Sequence, residues 1–218
     1  MMGGRQPSPG LARVALGLLI LGELIQLVAI LWGGAVYPGY DPLRQHISEL
    51  GATGAVTGPA VSWWGFVPSG LLMAAFCLIA AWLLRRSVLA IIACLLLGWY
   101  AITLSAAGVY PCEFECAREV VTRNSMMHDL YGGTGYLTGI IGVGLAGMWA
   151  RSSRAPWLAP LGAVCVLICI VGFGAIIADV EFGGLLQRGL EGALAVFLLA
   201  FGWALATGRL SPETPDRP

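Results

Sequence analysis

Residues 11–35 read LARVALGLLILGELIQLVAILWGGA, and this stretch decides the class of the fold. It is long and apolar enough to cross the ~30 Å hydrocarbon layer of a bilayer as one helix. Five more stretches of this kind follow, at about 60–84, 88–110, 128–150, 156–178 and 188–208. Six spans of ~21 residues each consume most of the 218-residue chain. Composition agrees: 58% of residues are hydrophobic and 11% charged, against about 45–50% and about 25% in soluble domains. The expected fold is all-α, a polytopic six-helix bundle forming one domain over 11–210, with disordered tails at 1–10 and 211–218.

The residues between the spans set the orientation. Arg5, Arg13, Arg85, Arg86, Arg151, Arg154, Arg209 and Arg217 flank alternate ends of successive spans, so six crossings bring them to one side. By the positive-inside rule that side is cytoplasmic, with both termini. Segments 36–59, 111–127 and 179–187 then face outward, and the expected location is the cell membrane. Trp82, Trp149, Trp157 and Trp203 fall near the inner ends, and Trp32, Trp63, Trp64, Tyr37, Tyr40 and Tyr110 near the outer ones. Such residues favour headgroup depth, where an apolar ring and a polar edge are both satisfied. The first span is too long for a signal-peptide core and lacks a clear cleavage site, so it is read as an anchor. Zero net charge leaves no footprint for nucleic acid, and membrane lipids are the expected partners.

The first outer segment carries Tyr40, Asp41, Pro42, Arg44, His46, Ser48, Glu49 and Gly51 in close succession. Asp41 before Pro42 reads as a helix cap and first turn, and Gly51 as the stop. Leu43, Ile47 and Leu50 share one face of that helix, which predicts an amphipathic helix along the interface. The pattern Tyr-Asp-Pro-x-x-x-x-Ile-Ser-Glu-Leu-Gly at 40–51 resembles the hallmark of an uncharacterised family of bacterial and archaeal membrane proteins, domain-of-unknown-function family 998. Tyr-Pro-Cys-x-x-x-Cys at 110–116, His128 and Gln187-Arg188 are similar to the same pattern. The resemblance implies a polytopic membrane protein and assigns no activity.

Candidate functional residues gather on the outer side. Asp41, Arg44, His46, Ser48, Glu49, His128, Asp129, Arg188 and Glu191 are the candidates for an outward polar pocket that takes a lipid headgroup or small solute. Arg188 supplies a guanidinium suited to phosphate or carboxylate, or pairs with Glu191 three residues on. Asn124 or Ser125 is the expected cap of the fourth span, with Asp129 favoured by its N-terminus. Cys112 and Cys116 are a candidate disulfide; a metal pair and a catalytic thiol are the alternatives. No cofactor is required by any motif, although His46 and His128 could share a metal.

Glu23 stands in mid-span with Gln26 one turn on, and a carboxylate at that depth must be paired or neutral. Gln26, Tyr100, Thr103 and Tyr136 are candidate neighbours at comparable depth, and the sequence assigns none of them. Binding or scaffolding at the outer pocket is therefore the leading function. An outer-leaflet hydrolase or transferase, with His46 or His128 as base or ligand and Ser48 or a water as nucleophile, is the second reading, similar in logic to ceramidase-like membrane hydrolases. Those enzymes use three His, and this chain has two. Proton-coupled transport through Glu23 is the third.

Overall fold

The structure is a computed structural model that describes residues 9–117, 119 and 121–210. Six long helices account for most of the described residues, and no strand occurs among them. They are α1 (Pro9–Val36), α2 (Gly58–Leu83), α3 (Val88–Val109), α4 (Arg123–Ala150), α5 (Leu158–Ala178) and α6 (Gly183–Ala206). Each corresponds to one expected span. Pro9 and Gly10, assigned to a tail on sequence grounds, form the first turn of α1; the rest of that tail and the tail at 211–218 lie outside the described residues.

Five of the helices are long and apolar enough to cross a membrane on their own. The exception, α4, is diluted by its glycines, His128, Asp129 and several hydroxyls, yet its 28 residues extend ~42 Å. It packs between α3 and α5 and so completes the set. Helices neighbouring in sequence pack side by side, and α6 closes back onto α1, giving a ring in chain order. Large apolar residues such as Leu24, Val28, Leu31, Leu78, Leu95 and Leu167 lie exposed on its outer surface. Lipid chains satisfy that surface and water does not. The protein is an integral, multi-pass membrane protein.

The two ends of the ring differ. At one end Leu19, Phe76, Leu97, Leu194, Phe197 and Phe201 fill the interior completely. The described arginines that separate spans, Arg13, Arg85, Arg86, Arg151, Arg154 and Arg209, belong to this end. Arg85 lies over Trp82 at 4.6 Å and Arg209 over Trp203 at 4.5 Å, a cation–π pairing of interfacial side chains. At the other end the three connecting segments bond to one another: Thr53 N–H donates to the Cys112 carbonyl at 2.8 Å, and Leu185 N–H to the Leu43 carbonyl at 2.9 Å. Residues 46 and 128 therefore share one end of the bundle.

Local chemistry explains the irregular places. Pro68 lacks an N–H for the carbonyl four residues back, and the preceding Val61–Phe66 stretch winds as a wider π-helix, with Val67 N–H reaching the Ser62 carbonyl. The Val67 carbonyl is met by the Ser105 hydroxyl from α3 at 2.8 Å. The cap of α4 is Thr122, not Asn124 or Ser125; its Oγ1 accepts from Ser125 N–H at 3.2 Å, while Ser125 Oγ accepts from Thr122 N–H at 2.9 Å. In α4, Gly135, Gly139 and Gly142 bring α3 close. A Cβ on Gly135 would overlap the Thr103 side chain, and one on Gly142 would lie 2.9 Å from Leu97. This is the close approach that small residues permit between helices in lipid.

Candidate functional site

The first connecting segment is not an interfacial helix, which corrects the expectation from its apolar spacing. Asp41 does start a turn: its Oδ1 accepts from Leu43 N–H at 2.9 Å and its carbonyl from Gln45 N–H at 2.8 Å. The turn stops there because tertiary partners take the groups a helix would pair. In a helix Ile47 N–H would donate to the Leu43 carbonyl; here it donates to Gln187 Oε1 at 2.6 Å, and Leu43 accepts from Leu185 instead. The Arg44 carbonyl accepts from Gly184 N–H at 3.0 Å. Only Ile47–Gly51 is helical, as a 3-10 turn with Ile47 and Leu50 buried in the bundle and Leu43 left exposed.

Arg188 explains the next contacts. Its guanidinium donates to the Gln45 carbonyl at 2.9 Å, to the Gly184 carbonyl at 3.0 Å and to the Tyr40 hydroxyl. Tyr40 in turn donates to the His46 carbonyl at 2.8 Å. Arg188 is thus a clamp on the first segment, and the expected ion pair with Glu191 does not form. Residues three apart on a helix can meet, but these two side chains leave in different directions. Arg44 is held by Glu181 at 2.9 Å and Asp41 at 3.5 Å, all near the surface.

Glu49 closes the 3-10 turn on itself. Its Oε1 accepts from His46 N–H at 2.7 Å and lies 3.6 Å from His46 Nδ1, while Oε2 accepts from Gln45 Nε2 at 2.8 Å. Burial alone would raise its pKa, but the donors from His46 and Gln45 outweigh burial and hold the carboxyl below its ordinary value of 4.5. His46 Nε2 is buried and has no hydrogen-bond partner; it abuts Gly183, where a Cβ would come within 2.8 Å of it.

The second segment carries a Cys112–Cys116 disulfide. The Ser48 hydroxyl lies 3.4 Å from Cys116 Sγ, which seats this segment on the first. His128, in the second turn of α4, has Nδ1 3.0 Å from the Tyr110 carbonyl. Tyr110 stacks on Tyr131 with ring centroids 5.8 Å apart.

These segments surround a cavity of about 980 Å³ that descends between the helices. Arg44, His46, Ser48, Glu49, His128, Asp129 and Glu191 line it; Asp41, Arg188 and Glu23 are not among its lining residues. At its floor stands Glu191, ~12 Å down α6 from Gly183 at the helical rise. Glu191 Oε2 accepts from the Tyr100 hydroxyl at 2.6 Å and Gln26 Nε2 at 3.5 Å, and Oε1 from the Tyr136 hydroxyl at 2.7 Å. Gln187 Nε2 donates to that same Tyr136 oxygen at 2.9 Å, and its other end holds Ile47. One polar chain therefore runs from the floor to the first segment.

Of the candidate neighbours of Glu23, Gln26, Tyr100 and Tyr136 converge on Glu191 instead. Thr103 turns back to the Tyr100 carbonyl at 2.7 Å. Glu23 Oε1 is buried without a hydrogen-bond partner, near enough to Glu191 to feel its charge. The missed signal was the Gln187–Glu191 spacing: four residues apart, they mark one polar face of α6 turned inward.

Among the described residues the cavity lining holds eight carboxylates, Glu49, Glu113, Glu115, Glu119, Asp129, Asp179, Glu181 and Glu191, and a single arginine, Arg44. Arg44 is already paired, so acidic groups outnumber free basic ones in the described lining. The residues whose donor atoms come together as a possible ligand set are Cys112, Cys116 and His128, and His46 is not in that set.

No curated protein and no solved structure matches the chain. A family model described as Protein of unknown function (DUF998) matches residues 20–204, from the middle of α1 to the last turn of α6, and the chain belongs to that family.

Proposed function

We propose that this membrane protein binds a small solute or lipid headgroup in the cavity at its loop end, and that the bound group carries a positive charge or hydrogen-bond donors. The observation behind this reading is Glu191: a carboxylate at the cavity floor, aligned by two tyrosines and a glutamine. A volume of about 980 Å³ lies at the upper end of the ~300–1,000 Å³ usual for ligand sites. The acidic lining favours a cationic group and disfavours an anionic one. The clustering of arginine at the opposite end supports an outward-facing cavity in the cell membrane, with both termini in the cytoplasm.

The test compares an amine-headgroup lipid with an anionic-headgroup lipid of the same acyl chains, by native mass spectrometry of the detergent-purified protein. Preferential retention of the amine lipid, reduced about tenfold in Glu191→Gln, is expected for one lost charge-assisted contact. Equal retention of both lipids, or no change in the variant, would reject the reading.

Proton-coupled transport has one specific observation in its favour: the unpartnered Glu23 Oε1 beside Glu191. A second carboxyl there provides a place to hold a proton. Glu23→Gln should then abolish proton-driven uptake in liposomes while leaving lipid retention intact. A hydrolase built on Ser48 has less support, because among the described residues no hydrogen bond joins Ser48 to either histidine, and a nucleophilic serine needs a base within reach.

A further inference from the structure

We propose that Cys112, Cys116 and His128 form a binding site for a thiophilic divalent cation such as zinc, available when the bond between the two cysteines is reduced. The two sulfurs and a ring nitrogen of His128 all lie within 4.8 Å of one another. Around a tetrahedral zinc, ligand atoms at ~2.0–2.3 Å from the metal stand about 3.5 Å apart. After reduction the two sulfurs, bonded to each other in the disulfide, therefore part while the imidazole closes by roughly 1 Å. The three-residue spacer between the cysteines falls in the range that zinc-binding cysteine pairs use.

The histidine is oriented for this role. The carbonyl of Tyr110 lies 3.0 Å from Nδ1. A proton on Nδ1 pointed at a carbonyl leaves the Nε2 lone pair as the ligand, the arrangement by which metal-binding histidines are held. The Ser48 hydroxyl, 3.4 Å from Cys116 Sγ, is placed to donate to a thiolate. All three ligands line the cavity, so water or a cavity-bound group completes the fourth position. Three protein ligands and one open position is the pattern of catalytic rather than structural zinc.

The chemistry balances simply. A phosphine and one water convert the disulfide to two thiols and a phosphine oxide. The divalent cation then displaces one proton from each thiol, while the neutral imidazole binds unchanged. The site is locally neutral: two thiolates against two positive charges. Exchange with a small-molecule disulfide, which takes the two electrons and leaves as two thiols, re-forms the Cys112–Cys116 bond, removes two of three ligands and releases the metal. This site stands whatever the rest of the cavity binds.

Cobalt titration of the full-length protein in detergent tests it, after chelator treatment and phosphine reduction. Reduced protein should take up one cobalt per chain, with thiolate-to-cobalt charge-transfer absorption that zinc abolishes, and unreduced protein should show none. The paired Cys112→Ser, Cys116→Ser variant should lose the band, although it retains the buried thiols Cys77, Cys94, Cys165 and Cys169. His128→Ala should weaken affinity at least about tenfold, with His128→Asn read the same way if the alanine variant does not purify as a folded protein. Reduced wild-type protein without the band, or a histidine variant binding as tightly as wild type, overturns the proposal.

Discussion

A carboxylate set into a membrane-crossing helix persists only if its surroundings replace the water it lost. Around Glu191, Tyr100, Tyr136 and Gln26 do so, and Tyr136 is also the acceptor for Gln187. Tyr136→Phe deletes a donor and an acceptor together, so its cost should exceed that of a single neutral bond, at about 1–3 kcal/mol; reversible unfolding in mixed micelles would measure it. Arg188 makes three directed bonds in a planar fork that an ammonium cannot match. Arg188→Lys should therefore raise hydrogen exchange across 40–51 without changing exchange in α2 or α3. Unaltered exchange there would refute the clamp. Glu49 contributes a pH dependence whose sign is fixed: its folded pKa is depressed, so the stabilisation is present above the ordinary value of 4.5 and is lost as pH falls through the lower folded value. The melting temperature of wild type should drop more steeply below pH 4.5 than that of Glu49→Gln, and parallel curves would contradict the assignment.

At the level of the element, α4 shows how one glycine-rich helix serves two purposes. Gly135 and Gly142 face α3 without room for a methyl group, whereas Gly132 and Gly133 have open space beside them and line the cavity. Gly135→Ala should cost about 1–3 kcal/mol through overpacking, and Gly133→Ala should leave stability near wild type; unfolding midpoints in one detergent compare them directly. Gly135 and Gly139 stand four apart, the spacing of a small-residue packing face, but which glycines pack and which border a void depends on the neighbour's outline. The first connecting segment was misread for a related reason. Helical spacing at Leu43, Ile47 and Leu50 is real, yet Leu185, Gly184 and Gln187 capture the backbone groups that would have closed the helix. Those competitors lie about 140 residues away, beyond the reach of any local rule.

The molecule as a whole was the most legible part. Six apolar stretches long enough for the bilayer admit few arrangements, and the six long helices follow those stretches one for one. The site was legible only in its cast. His46, Ser48, Glu49, His128 and Glu191 do meet at one cavity, but the pairings within it depend on the rotational phase of each helix, which sequence spacing leaves open. Global orientation is directly measurable: a cysteine introduced at Thr53 should be labelled by a membrane-impermeant maleimide added to intact cells, and one introduced at Arg86 only after the cells are permeabilised. The closed ring has one further consequence. Gln26, Tyr100 and Tyr136 all precede Glu191 in the chain, so their bonds to it form only once α6 has inserted. The step that closes the ring therefore also completes the acidic centre, and an insertion intermediate lacking α6 would offer quality-control proteases a polar seam in the lipid.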